Sequence, residues 1–398
     1  MVDEIPPYYG TIASGRARFP RPALEAELDS LLERSNGARL FGLRRIGKST
    51  EARACIDRLK QRKKEWVFIE LDAQGCASEA RLLQDFLSAL PNKNLAERIT
   101  QAVTGDGMIA KGAREALQKF AGPQADIQAY FGPIMTAIER SLSSKDGLVL
   151  VIDELPWLCR SILESDETQG RIRVEVLLAA LRRWRDRGVR MLLLGSIGMA
   201  ALGRQYGLDR NHLNDLLPHD IPPLEPEEAR TMVAAMVAGS QATGWSDGHT
   251  AQFLDECEAF YPAILQEAFI RLTPGGIAIA LARLSDIFAE RIRPDIDAIF
   301  FGQFDQRLQR YRELPAPLPQ LVPTLLATVL TAPTQSIEYP ALVAAAGEVD
   351  AADLSDALLM LREDGFLMAR SPRKGPQQWR AASGLVSCWW AQRRSGGA

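Results

Sequence analysis

The amino-acid sequence predicts an α/β fold: a parallel sheet flanked by helices, followed by an all-α segment and a winged helix-turn-helix. Three observations support this. Short apolar runs at Ala38–Phe41, Trp66–Leu71, Leu148–Ile152 and Met191–Leu194 alternate with stretches of helical spacing, as in a parallel sheet covered on both faces. From Glu225 to about Glu313 the pattern is helical and holds no strand. Residues 324–398 read as helices and then a hairpin, Phe366–Ala369 and Gln378–Ala381 around Pro372–Gly375.

The elements follow in order. Leu24, Leu28, Leu31 and Leu32 lie at helical spacing over residues 24–34, and Asn36-Gly37 turns the chain. Ala38–Phe41 runs into Gly42, and after Gly47 a helix continues through Ala54, Ile56 and Leu59. Trp66–Leu71 is rich in strand-forming residues. Residues 80–143 read mostly as helices, broken near Pro91, Gly105–Gly107 and Gly122-Pro123. Lys145-Asp146-Gly147 signals a turn before the uninterrupted strand Leu148–Ile152; residues 171–187 form a basic helix before Met191–Leu194. The texture changes at Ile221-Pro222-Pro223, and Pro315, Pro317, Pro319 and Pro323 read as a stiff connector. The expected organisation is a sheet core over 1–221 with a helical insertion at about 80–140, a helical segment over 222–313, and a winged helix over 314–398.

Composition narrows the function. The chain has 398 residues, 46% of them hydrophobic, and 47 basic against 50 acidic side chains give a net charge of −3. That excludes a disordered chain, a coiled-coil rod and a strongly basic nucleic-acid binder. Five scattered cysteines (55, 76, 159, 257 and 388) without a CxxC pair read as reduced thiols of a cytoplasmic protein. His212, His219 and His249 are too few for a histidine-rich zinc site. The first ten residues show no signal-peptide pattern, and no apolar run approaches the roughly 18 residues that span a bilayer.

Gly42-Leu43-Arg44-Arg45-Ile46-Gly47-Lys48-Ser49 fits GxxxxGK[ST] without a mismatch, with a strand before it and a helix after. The glycines let successive N–H groups turn towards phosphate oxygens, and the helix adds its positive end. Lys48 is expected to reach the β- and γ-phosphates of ATP, and the Ser49 hydroxyl to bind Mg²⁺. Arg44, Arg45, Ile46 and Thr50 complete the expected nucleotide contacts. The strand Leu148–Ile152 ends in Asp153-Glu154, at the sheet edge where ligands bind in such folds. Asp153 is expected to hold the metal through its water shell and Glu154 to act as general base on the attacking water. Ser196, after the next strand, is placed to contact the γ-phosphate or the water. Arg204 and Arg210, farther on, are the candidates for an arginine finger, each with a solvated surface arginine as the equal alternative.

The runs GLRRIGKST (42–50), LVLVIDELPWL (148–158) and LLLGSIGM (192–199) together resemble the archaeal-type ATPase family, in the STAND branch of the AAA+ P-loop NTPases. Phe19-Pro20-Arg21 with Glu27-Leu28 resembles that family's F-x-R-x-x-E-L opening, at longer spacing. Tyr261-Pro262 is similar to the G-x-P of its helical lid, with Phe260 in place of the glycine; the resemblance puts Pro262 near the adenine. Trp389-Trp390 resembles the family's terminal WW. The resemblance covers nearly the whole chain and implies a lid over 222–313 and a terminal winged helix. Two departures stand out: Lys48 and Asp153 are 105 positions apart, which marks the insertion, and the first arginine after Pro262 is Arg271.

The resemblance implies a slow, Mg²⁺-dependent ATPase switch that regulates a separately encoded partner protein, with a prokaryotic defence system as its setting. A DNA-acting AAA+ ATPase of the loader or transposition-regulator type is the alternative, and a nucleotide-binding scaffold with little turnover the second. Residues 314–398 balance seven basic side chains against seven acidic ones. The expected recognition helix, about 352–363, is expected to expose Asp353, Asp356 and Glu363, which disfavours phosphate contact. DNA contact is therefore expected only through the wing, at Arg370, Arg373, Lys374 and Arg380. The cluster Arg182, Arg183, Arg185, Arg187 and Arg190 reads as a solvated face, a subunit interface or a nucleic-acid path. A homo-oligomer stays open, and no membrane is expected.

Overall fold

The computed structural model describes residues 4–6, 13, 15–90, 97–99, 101, 127–166, 168–334, 336–371 and 375–395. The chain forms two compact units: Ala23–Phe41 with Ala52–His219, and Met1–Pro22 with Gly42–Glu51 and Asp220–Ala398.

The first unit is built on five strands, β1 (Gly37–Phe41), β2 (Val67–Asp72), β3 (Leu148–Asp153), β4 (Arg190–Gly195) and β5 (Leu217–Pro218). Their order is β2-β3-β4-β1-β5, and every pairing is parallel. Leu148 to Ile152 are buried without alternation, as a central strand covered on both faces requires. Gly37 has φ 123°, and a Cβ there would lie 1.8 Å from the Met191 carbonyl oxygen. Only glycine lets β1 start this close to β4. The two-residue β5 was not anticipated, because it is too short to show a hydrophobic pattern.

The connecting helices are α1 (Pro22–Arg34), α2 (Lys48–Arg62), α3 (Glu79–Ser88), α4 (Ile127–Ser141), α5 (Leu155–Ser165), α6 (Gly170–Asp186) and α7 (Met199–Tyr206). Phe86, Ile138, Leu158, Ile162, Leu177 and Trp184 join Ile69, Leu150, Ile152 and Leu193 of the strands in one core. Helices α3 and α4 lie at the two ends of the stretch 79–141; Gly105–Gly107 and Gly122-Pro123 lie outside the described residues.

The basic cluster is a solvated face only in part: Arg183 and Arg187 are exposed, Arg182 and Arg190 are half-buried, and Arg185 is buried. The Arg185 side chain is fully buried, and its guanidinium donates to both carboxylate oxygens of Asp215 at 2.8 Å. Arg182 pairs with Asp215 at 2.8 Å. Arg183 and Arg187 both reach Glu139, at 2.9 and 3.5 Å. Arg190 lies over the Trp66 ring, 4.3 Å from its centroid. Each of the five arginines thus has a tertiary partner within the unit.

The second unit contains α8 (Pro226–Ser240), α9 (Asp247–Glu256), α10 (Pro262–Leu272), α11 (Arg293–Tyr311) and α12 (Leu318–Leu330). It ends with β6 (Ser336–Glu338), α13 (Tyr339–Ala346), α14 (Ala351–Glu363), β7 (Leu367–Arg370), β8 (Gln378–Ala381) and α15 (Gly384–Ser395). The last three strands form an antiparallel sheet in the order β6-β8-β7. Phe304, Phe366 and Trp389 pack mutually with ring centroids 5.2–5.5 Å apart. Trp389 of the terminal Trp pair is thus a core residue, and its indole N–H donates to Asp305 at 3.1 Å.

Two expectations are corrected here. Of the four prolines read as a stiff connector, Pro319 and Pro323 lie within α12, and Pro315 and Pro317 precede it. Pro319 stands in the first turn, where its missing N–H costs nothing. The carboxylates of α14 are not offered outward either: Asp356 and Glu363 are each 3% exposed, and Asp353 is half-buried. The leucine spacing identified the helix but not its second packed face.

Asp215 yields a stability prediction. Burial is the largest single influence and works to raise its carboxyl pKa, but the hydrogen bonds and charge of Arg185, with Asn36 and Arg182, together outweigh burial and hold the pKa below the ordinary 3.8. A carboxyl depressed by folding stabilises the native state above the ordinary carboxylate range and loses that contribution as pH falls below it. Asp215→Ala leaves the Arg185 charge buried and should cost about 3–5 kcal/mol in urea denaturation at pH 7. The deficit relative to wild type should shrink as the pH is lowered through 4 towards 2.

Candidate functional site

The carboxyl ends of the parallel strands carry the residues that the sequence singles out. Ile152 pairs with Leu193, and Leu193 with Arg39, so β3, β4 and β1 run level. Asp153 closes β3 and is half-buried. Glu154 caps the start of α5 with φ 57° and ψ 33°, a left-handed conformation. Such a backbone costs a non-glycine residue roughly 1–2 kcal/mol and persists only where its surroundings hold it.

Those surroundings are specific. The Ser196 backbone N–H and the Ser196 hydroxyl both donate to Oε2 of Glu154, each at 2.9 Å. The Trp157 indole N–H donates to the Ser196 Oγ at 2.9 Å. Gly195 permits the approach: a Cβ there would lie 2.6 Å from Cγ of Pro156. Ser196, expected to face phosphate or water, therefore spends its hydroxyl proton on Glu154. Trp157 lies in the LVLVIDELPWL run (148–158), and its signal there is its position three residues after Glu154, in the first turn of α5.

The phosphate loop belongs to the second unit and begins at the residue following Phe41. Gly47 has φ 102°, which glycine adopts without penalty, and Arg45 is left-handed at φ 68°. The Glu51 N–H donates to the Gly47 carbonyl at 2.9 Å. Lys48 is 6% exposed, and its Nζ donates to the carbonyls of Gly42 at 3.2 Å and Leu43 at 2.6 Å. Ser49 and Thr50 are half-buried in the first turn of α2, Ile46 is buried, and Arg44 and Arg45 are exposed.

Unpredicted residues of the same unit hold this loop. The Arg44 N–H donates to Oε1 of Gln303 at 2.8 Å, and Gln303 is oriented by its own bond to the Ile299 carbonyl at 2.9 Å. Arg45 reaches Glu267 at 3.4 Å, a pair too exposed to contribute much. Glu51 pairs with Arg18 at 2.9 Å, which ties the loop's helix to the Phe19-Pro20-Arg21 opening. Burial lowers the Arg21 pKa, against the pull of Glu51 and Glu228. A cleft of about 610 Å³ lies between Phe19, Pro20 and Arg18 on one side and Glu227 and Glu228 on the other. Pro262 opens α10, and the preceding Tyr261 is buried and stacked on Phe300, with ring centroids 6.4 Å apart.

The remaining candidates separate. Arg204 is half-buried in α7, and the side chain of Arg210 lies outside the described residues. In the β7–β8 hairpin, Arg370 and Arg380 are exposed on adjacent strands; Arg373 and Lys374 lie outside the described residues. Among the described residues no cluster of three or more His, Cys, Asp or Glu side chains forms a metal cage, and no helix is long and apolar enough to cross a membrane.

The Walker-type ATPase PABY2304 of Pyrococcus abyssi superposes with a TM-score of 0.54 over 98% of this chain and 99% of its own, at 14% sequence identity. The fold is an α/β P-loop fold. ORC2 of Aeropyrum pernix in its ADP form aligns over 100% of this chain and 98% of its own, at 14% identity and a TM-score of 0.45. ORC1 of the same organism, in complex with DNA, aligns over 94% and 93% at 16% identity and a TM-score of 0.40. These last two likenesses are too loose to argue from. No family model and no curated protein matches the sequence.

The close approach at Gly195 is testable. Gly195→Ala should overpack the contact with Pro156 and lower stability by about 1–3 kcal/mol in denaturant titration.

Proposed function

We propose that the chain is an ATPase of the AAA+ kind, which binds ATP with Mg²⁺ and hydrolyses it. The observation that carries this is Glu154, a carboxylate held by two donors of Ser196 at the carboxyl edge of a parallel sheet. A complete phosphate loop follows β1 of the same sheet. On this reading the N–H groups of residues 45–50 cradle the phosphates, and Lys48 leaves its loop carbonyls for the β- and γ-phosphate oxygens. Mg²⁺ keeps most of its waters and takes few protein oxygens. The Ser49 hydroxyl and the Asp153 carboxylate suit that donor set, and the metal would neutralise phosphate charge. Glu154 accepts the proton of the attacking water. The cleft beside Phe19 and Pro20 and the Pro262 end of α10 are the apolar places for the adenine.

The energy of turnover has two candidate uses. Helix, strand, two helices and a hairpin in 318–381 read as a winged helix after a helical lid. The DNA-acting use is now the better supported: Asp356 and Glu363 are buried, which removes the acidic face that spoke against it, and Arg370 and Arg380 are exposed. Because α14 is packed on both sides, contact would run through the wing strands. The STAND-type switch acting on a partner protein is the other use.

Lys48→Ala should abolish ATP binding in equilibrium titration. Glu154→Gln should bind ATP normally and hydrolyse it about 10²–10⁴-fold more slowly; equal rates for wild type and variant would leave only the scaffold reading. Duplex DNA should stimulate hydrolysis, with affinity falling steeply from 50 to 200 mM salt. Replacing Arg370 and Arg380 together by Ala should remove that stimulation and spare the basal rate. DNA-insensitive turnover, with a protein co-purifying only in ATP, would favour the switch instead.

A further inference from the structure

We propose that Trp157 is a positioning residue for hydrolysis, acting on Glu154 through the hydroxyl of Ser196; this rests on the ATPase reading above. The chemistry of the three groups fixes the direction of the chain. An indole N–H can only donate, and an ionised carboxylate can only accept. Ser196 Oγ lies 2.9 Å from both Nε1 of Trp157 and Oε2 of Glu154. Its lone pair therefore takes the indole proton, and its own proton points to the carboxylate. A serine hydroxyl otherwise rotates freely to suit its surroundings. Trp157 removes that freedom and polarises the O–H that it orients.

The indole is itself held. Trp157 packs at the edge of the sheet core, and the Arg160 guanidinium lies 5.4 Å from the ring centroid. Arg160 is in turn bonded to Glu164 at 2.6 Å, one turn farther along α5. The result is an unbroken path from the solvent side of α5 to one oxygen of the base. On the ATPase reading, the two Ser196 donors hold Oε2 and leave Oε1 to take the water proton. Without the indole, the serine O–H loses a restraint on its direction towards the carboxylate, while the Ser196 backbone N–H still holds Oε2.

The test compares wild type, Glu154→Gln, Trp157→Phe, Ser196→Ala and the Trp157→Phe/Ser196→Ala double variant in steady-state ATP hydrolysis, with ATP affinity measured separately. Trp157→Phe should lower kcat about tenfold, the effect of one hydrogen bond, with KM and ATP affinity within twofold of wild type. In the Ser196→Ala background the same substitution should change nothing further, because its effect runs through the missing hydroxyl. An equal loss in both backgrounds, an unchanged kcat, or a loss confined to KM would overturn the assignment. Should Trp157→Phe fold poorly, benzothienylalanine at position 157 keeps the bicyclic shape and lacks only the N–H, and the same criteria apply. Failure of the ATPase reading looks different: Glu154→Gln would then match wild type, and the positioning role would fall with it.

Discussion

The parallel ladder β3-β4-β1 is the constraint on which the rest of the site depends. Its register sets Ile152, Leu193 and Arg39 at one level and Phe41 beside Gly195. Glu154, Ser196 and Gly42 are then the residues at which each strand has just ended. A slip of one residue in any strand would turn its side chains to the opposite face, and burial of Leu148 to Ile152 against helices on both sides makes that slip costly. Gly37 and Gly195 serve the same geometry from the two ends of the ladder. One removes a side chain that would strike the Met191 carbonyl, the other a side chain that would strike Pro156.

Charge in this protein divides by partner rather than by sequence density. The densest arginine run, on and after α6, is committed to Asp215, Glu139 and the Trp66 ring. A second buried set lies in the other unit, where Arg307 faces Asp364 at 3.7 Å and the Tyr311 hydroxyl donates to Asp364 at 2.5 Å. Burial pushes the Tyr311 hydroxyl well above its ordinary value, with Asp364 adding to it, and lowers the Arg307 guanidinium. Breaking such sets is expensive because an unpaired charge stays inside. Arg370 and Arg380 are exposed on neighbouring strands.

What was legible in the sequence follows from this. The strands Gly37–Phe41, Val67–Asp72, Leu148–Asp153 and Arg190–Gly195 announce themselves because a doubly covered strand is apolar at every position. The phosphate loop announces itself because its spacing is dictated by backbone geometry within one turn. The pairing of Arg183 with Glu139, 44 residues apart, and of Arg185 with Asp215, 30 apart, carries no local signal. The same holds for Gln303 at the Arg44 N–H, 259 residues away. Helix α14 shows why periodicity misleads: a leucine stripe predicts one buried face, and the burial of Asp356 and Glu363 depends on what packs against the other.

The left-handed backbone at Glu154 joins the fold to the proposed chemistry. Glycine would adopt φ 57° without penalty, and the strand-to-helix turn at this point needs that conformation. A glycine would leave the two Ser196 donors without their carboxylate. The N–H of Ser196 lies one residue past the end of β4 and is half of the restraint on Glu154, so deleting the carboxylate strands a donor as well as a base. Charge-assisted bonds to a carboxylate contribute about 1.5–3 kcal/mol each, enough to offset a backbone cost of roughly 1–2 kcal/mol. The strain and its compensation are thus on the same residue, and both are fixed by the meeting of β3 and β4. A side chain constrained this way has little freedom to swing, so any regulation of turnover at Glu154 would have to act through Ser196 or through the helix that carries Trp157.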